Sequence, residues 1–100
     1  MDSGIRAMVD AVDEARRQLR DNALPKAKDT GRDRIPEGED AELLGALAGL
    51  VKVAGELADA VGDRVVSRDT CKTYARAARR LEREADNLSG DRREAAERAE

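Results

Sequence analysis

Residues 41–61 read AELLGALAGLVKVAGELADAV, and this stretch decides the fold. Its apolar side chains recur every three or four residues, as they do along one face of an α-helix: Leu43, Leu47, Leu50, Ala54, Leu57 and Val61. Leu44, Ala48, Val51 and Ala58 widen this face, and Gly45 and Gly49 keep much of the opposite side small. A helix that is apolar or small nearly all round is a buried one. The pattern therefore predicts a central helix over about 41–61.

Two further segments show the same periodicity on either side of the central helix. The first predicts a helix over about 3–22 that ends at Asn22 and Pro25, with the apolar positions Ile5, Met8, Val12, Ala15 and Leu19. The second predicts a helix over about 67–88 that Gly90 ends in a left-handed conformation, with Cys71, Tyr74, Ala78, Leu81, Ala85 and Leu88.

Three such helices predict an all-α fold, a three-helix bundle formed by one domain over residues 1–100. We expect a core in which five side chains are each mostly buried: Leu47, Leu50, Leu57, Tyr74 and Leu81. Residues 24–40 hold both prolines and lose the periodicity, so they are predicted to be a mobile linker. Residues 90–100 have nothing larger than alanine to bury, and we expect a polar tail that frays or forms a short helix.

The composition argues against several chemistries. The chain has no histidine and a single cysteine, Cys71. Histidine is the usual proton carrier near neutral pH and the commonest metal ligand, and one thiol forms neither an intrachain disulfide nor a multi-thiolate zinc site. We therefore expect that the protein is not an enzyme, and that it has no catalytic residues, metal site, cofactor or small-molecule substrate.

The sequence also carries an expectation about location. The chain opens Met1-Asp2-Ser3, without a basic segment followed by an apolar core, so no signal peptide is predicted. The longest uncharged stretch, Leu43–Val51, is about half of the ~20 residues that a membrane span requires. A cytoplasmic protein without a membrane partner is expected.

The distribution of charge is the most informative functional feature. The net charge is -3, yet residues 63–83 hold seven basic and three acidic residues, a local net charge of +4. Five of the bases step by three or four along one helix flank, and we call them the cationic row: Arg68, Lys72, Arg76, Arg79 and Arg83. Neighbouring like charges on a helix repel each other, so something anionic is expected to face this row.

Two sources of negative charge are consistent with the row. One is internal: Asp10, Asp13, Glu14 and Asp21 of the first helix, or Asp33, Glu37, Glu39 and Asp40 of the linker. The other is an external polyanion, either a phosphate backbone or an acidic protein surface.

Residues 56–77 carry a resemblance to a known motif. Leu57-Ala58-Asp59-Ala60-Val61-Gly62 and Val66-Ser67-Arg68-Asp69-Thr70-Cys71-Lys72-Thr73-Tyr74 resemble the helix-turn-helix of bacterial DNA-binding proteins. The resemblance implies that one set of side chains faces the major groove, with Arg76 near phosphate: Ser67, Arg68, Asp69, Lys72 and Thr73. The motif needs a helix boundary near Gly55, whereas a long hairpin needs an unbroken helix there.

Together these observations predict a non-enzymatic helical interaction or regulatory protein that binds a macromolecular partner through the cationic row or the linker. A protein partner is expected, or self-association through the second helix as a homodimer. The alternative is a DNA-binding helix-turn-helix protein that uses residues 56–77.

Overall fold

The computed structural model describes residues 3–29, 34–36 and 38–99, and these residues form helices and no strand. The elements in chain order are α1 (Ser3–Gln18), a π-helical segment (Leu19–Ala23), α2 (Leu24–Lys28), α3 (Glu39–Gly62) and α4 (Arg68–Ala99). The prediction of an all-α fold is confirmed. The chain divides into two compact units, one ending at Arg34 and the other beginning at Ile35.

The second unit is a hairpin of two long helices. α3 has 24 residues and α4 has 32, and they pack against each other. Gly38 precedes α3 with a φ of 96°, a conformation that side chains other than glycine rarely adopt. At the start of α4 the Ser67 hydroxyl accepts a hydrogen bond from the Thr70 amide at 3.4 Å, which satisfies one of the free donors of the first turn.

The contact between α3 and α4 is built from small residues. α3 buries one residue every seven positions, namely Ala41, Ala48, Gly55 and Gly62. α4 buries Ala78, Ala85 and Ala95, which are 3%, 5% and 2% exposed. We call this contact the small-residue seam. The spacing of seven along α3, and between Ala78 and Ala85 on α4, is typical of two helices packed over many turns.

Two glycines of the seam are required by the closeness of the helices. A Cβ atom added to Gly55 would lie 3.2 Å from the Leu81 Cβ, and one added to Gly62 would lie 3.0 Å from the Tyr74 Cβ. Real Cβ atoms seldom approach so closely, so a side chain at either position would push α4 away. These contacts also define an antiparallel register, in which the end of α3 meets the beginning of α4.

The predicted burial of Leu47 and Leu50 is wrong, because these side chains are 43% and 41% exposed. Leu57, Tyr74 and Leu81 are half-buried. α3 carries two apolar rows, and α4 packs on the one made of small residues because there the backbones come closest. The larger side chains are left on another face, which we call the leucine row: Leu43, Leu47, Leu50 and Val53, each at least 41% exposed.

The third helix is longer than the sequence predicts. The expectation that Gly90 ends it is wrong, since Gly90 has no positive φ and α4 continues to Ala99. Residues 90–99 therefore extend the helix instead of fraying. Contacts with α3 explain the extension. Ala95 is buried in the seam. The Arg92 side chain lies so close to Gly45 that its Nε would be 2.9 Å from a Cβ added there.

The first unit also departs from its predicted boundary. The predicted stop at Asn22 and Pro25 is wrong, because helical structure continues through the π segment and α2 to Lys28. Pro25 is the second residue of α2, directly after the π segment, and it has no N–H group to donate to the preceding turn. The part of the predicted linker from 24 to 28 is thus helical, and no regular structure is assigned to Asp29 or to residues 34–36.

A pair of glycine substitutions tests the small-residue seam. We expect Gly55→Ala to lower the free energy of unfolding by about 1–2 kcal/mol, because the added methyl group overpacks the contact with Leu81. Gly49 is the matched control, since no side chain or backbone beyond its own neighbouring turns of α3 lies within 4 Å of an added Cβ. Gly49→Ala should raise the free energy of unfolding by about 0.5–1 kcal/mol through helix propensity. Urea unfolding measures both, and equal effects would contradict the close contact.

A pair of leucine substitutions tests which apolar row is packed. Leu50→Ala should lower the free energy of unfolding by less than about 1 kcal/mol, because the side chain is already 41% exposed. Leu81→Ala keeps the Cβ that lies against Gly55 but truncates the rest of a half-buried side chain, and it should cause a loss of about 2 kcal/mol. If thermal unfolding shows the larger loss for Leu50→Ala, then the leucine row is the packed one.

Candidate functional site

The cationic row lies on one flank of the first half of α4. All five side chains are exposed, and the row extends about 22 Å at about 1.5 Å per residue. Its orientation follows from the seam, because Ala78 and Ala85 hold the opposite side of α4 against α3. The structure therefore brings together all five predicted residues on one supported surface.

The described part of the chain offers these cations no ion pair. Within residues 3–29, 34–36 and 38–99, the charged atoms that approach within 4.0 Å are those of Arg16 with Asp13, Arg17 with Glu14, and Arg20 with Asp21. Three of the predicted internal counter-charges, Asp13, Glu14 and Asp21, are thus paired locally. Asp33 and Glu37 lie outside the described residues.

These local contacts change the pKa values of two carboxyl groups in the first unit. A hydrogen bond from Gln18, together with the charge of Arg17, lowers the pKa of Glu14 below its ordinary value of 4.5. A hydrogen bond from Arg20 lowers the pKa of Asp21 below its ordinary value of 3.8. Both carboxylates are exposed, so solvent screens these contacts.

The residues that the helix-turn-helix resemblance implies occupy the end of α3, the turn and the beginning of α4. Two of the implied base-reading hydroxyls make local bonds: Ser67 accepts from the Thr70 amide, and Thr73 donates to the Asp69 carbonyl at 3.1 Å. α3 runs unbroken through Gly55 to Gly62. This continuity favours the long hairpin and counts against the shorter helices that the motif needs.

Sequence reasoning missed a groove on one side of the hairpin. It has a volume of about 800 Å³, and its floor is made of Gly45, Ala48, Gly49, Ala85 and Ser89. Charges of both signs form its rim: Glu42, Lys52, Glu56, Glu82, Asp86, Arg92 and Arg93. Gly45 and Gly49 were the signal in the sequence, but the depth of the groove depends on where α4 lies. No polar side chain is buried in the described part of the chain.

Other features of the described residues bear on metal sites and membranes. They contain no group of three or more histidine, cysteine, aspartate or glutamate side chains placed to hold a metal ion. Cys71 is half-buried with a free thiol, on the face of α4 that meets α3 near Gly62. None of the helices that the structure describes combines the length and the apolar content of a membrane span.

Comparisons with protein-family models, curated proteins and solved structures find no match to this chain. The cationic row and the hairpin that supports it therefore have to be interpreted from their own geometry and charge.

The lowered carboxyl pKa values predict a pH dependence in the first unit. A carboxyl group whose pKa is lower in the folded state stabilises that state at high pH, and the effect is lost as the pH falls through the folded-state value. We expect helical content to decrease below pH 4.5, the ordinary value for Glu14. Circular dichroism of the chain measures it, and Glu14→Gln/Asp21→Asn should show a smaller decrease. Identical acid titrations of the two proteins would contradict the assignment.

Proposed function

We propose that this chain is a non-enzymatic helical interaction protein that binds an acidic protein surface through the cationic row. The observation that supports the proposal is the exposure of five cations on one flank of α4, without an ion pair to any described residue. A regulatory role in the cytoplasm is part of the same proposal.

The spacing of the row explains why a partner would be favoured. Arg68 and Lys72, Lys72 and Arg76, and Arg79 and Arg83 are four residues apart, and each like-charged pair destabilises the helix by about 0.2–0.5 kcal/mol. Carboxylates of a partner would replace this repulsion with attraction. Complementary charges also raise the rate of association and select the partner's orientation.

An acidic protein fits the chain better than DNA does. The whole chain has a net charge of -3, which opposes nonspecific association most strongly with a phosphate backbone, where one negative charge lies every ~1.7 Å. The unbroken α3 also removes support from the helix-turn-helix interpretation. DNA binding is accordingly an outcome of the test below rather than the proposal.

Self-association through α3, also expected from the sequence, is the alternative to protein binding through the cationic row. The leucine row supports it, because Leu43 and Val53 are 50% and 61% exposed and no charge lies between positions 43 and 51. Contiguous apolar patches on a protein surface often mark sites of protein contact.

Neutralising part of the row tests the principal proposal. We expect Arg76→Gln/Arg79→Gln to weaken binding of labelled polyglutamate at least about fivefold at about 50 mM salt, where charges are weakly screened. Fluorescence anisotropy measures the binding. The free energy of unfolding should not fall and should rise by up to about 1 kcal/mol, because the variant removes two like-charged pairs and no ion pair among the described residues.

The control variant is Arg6→Gln/Lys26→Gln, which removes the same charge from exposed positions of the first unit. It should change binding less than about twofold, because long-range charge effects are screened. If Arg76→Gln/Arg79→Gln lowers the free energy of unfolding and leaves polyglutamate binding unchanged, the row is paired with acidic residues of the chain itself, and the proposal is overturned. Tight binding of labelled duplex DNA would favour the DNA alternative. The slope of log affinity against log salt concentration should then fall by about 0.9 for each phosphate contact that the substitutions remove.

A further inference from the structure

We infer that the acidic surface bound by the cationic row is the second half of α4 on another copy of this chain. The inference rests on the proposed function, since it names the partner of the same site. It places two copies of α4 antiparallel, flank against flank, about a two-fold axis near the middle of the helix.

The charge of α4 changes sign at its midpoint. The first 16 residues, 68–83, hold six basic and two acidic side chains, a net charge of +4. The last 16 residues, 84–99, hold three basic and five acidic side chains, a net charge of -2. Two antiparallel copies would place each basic half beside an acidic half, whereas parallel copies would place like charges together.

The flank that carries the row continues into the acidic half with mirrored spacing. Four of the five members of the cationic row enter this pattern: Lys72, Arg76, Arg79 and Arg83 step by four, three and four. The same flank continues through Asp86, Gly90, Arg93 and Glu97 with steps of four, three and four. Except for Gly90, which is half-buried, all of these residues are exposed. A two-fold axis between Arg83 and Asp86 therefore maps the flank onto itself.

This register predicts the individual contacts, each made twice because the interface is isologous. Lys72 faces Glu97 of the second copy, and Arg83 faces Asp86 of the second copy. Arg79 faces Gly90 of the second copy, where no side chain or backbone beyond its own neighbouring turns of α4 lies within 4 Å of an added Cβ. Arg76 faces Arg93 of the second copy, which is the one unfavourable match, although Glu94 lies beside it in the sequence.

The expected dimer is weak and sensitive to salt. Exposed ion pairs contribute little individually, and a network of several is needed for a measurable effect. Because the contacts are charged and lie at the surface, raising the salt from about 50 to about 300 mM should weaken the dimer at least about tenfold. An apolar interface through the leucine row would not weaken in this way.

Reciprocal charge reversal tests the register by sedimentation velocity at about 50 mM salt. One variant is Lys72→Glu/Arg83→Glu, and the other is Asp86→Lys/Glu97→Lys. Each alone should be monomeric, because like charges then meet at both symmetric contacts. An equimolar mixture should dimerise with an affinity within about threefold of the original chain, because every reversed residue meets a reversed partner. Arg93→Glu should strengthen the dimer by removing the one unfavourable match.

The control Arg6→Glu/Lys26→Glu reverses two exposed charges outside the hairpin and should dimerise like the original chain. A mixture that stays monomeric overturns the inference. It is also overturned if both reversal variants still dimerise and Leu47→Gln abolishes the dimer. Circular dichroism of each variant establishes that the helices persist. A monomeric original chain that still binds polyglutamate through the row would leave the proposed function standing and reject the second copy as its partner. A chain that neither dimerises nor binds polyglutamate would reject both.

Discussion

The close approach of α3 and α4 at Gly55 and Gly62 is the constraint on which the rest of the hairpin depends. A Cβ on Gly55 would lie only 3.2 Å from the Leu81 Cβ, so a larger residue there would require the neighbouring helix to shift by a few tenths of an ångström. This closeness sets the register of α4 along α3 and its rotation about its own axis. The rotation then determines that the cationic row faces away from the seam.

A seam of small residues stabilises the hairpin little per turn, and the length of the seam offsets this. Alanine and glycine bury little apolar area, and burial contributes about 25 cal/mol per Å². The backbones and Cβ atoms compensate by approaching closely enough for many dispersion contacts, which are individually weak and collectively large. The seam also continues from Ala41 to Gly62 on α3 and as far as Ala95 on α4. This is why α4 remains helical through Gly90, where local signals alone would end it.

The helices could be predicted from the sequence more fully than their packing. The periodicity of 41–61 identified α3, but two apolar rows of α3 satisfy the same three-and-four spacing. The choice between Leu47 and Ala48 as the packed residue depends on how closely a second backbone approaches, which no pattern within one helix encodes. The predicted helix ends at Pro25 and Gly90 are wrong for a related reason. Either residue can lie within helical structure when the surrounding contacts stabilise it. The cationic row was recognisable because i,i+4 spacing and charge are both local, whereas the groove beside Gly45 depends on two helices.

Tyr74 gives the molecule an optical property that follows from its place in the seam. It is the only aromatic residue of the chain, which has no tryptophan and no phenylalanine. Its Cβ lies 3.0 Å and its Cγ 3.9 Å from the position that a Cβ on Gly62 would occupy, so the ring begins where the two helices meet beside the turn. Near-ultraviolet dichroism and phenol fluorescence of the unlabelled chain therefore come from a single chromophore at this end of the hairpin. The opening of the helices beside the turn can be followed there, separately from the loss of helix elsewhere in the chain.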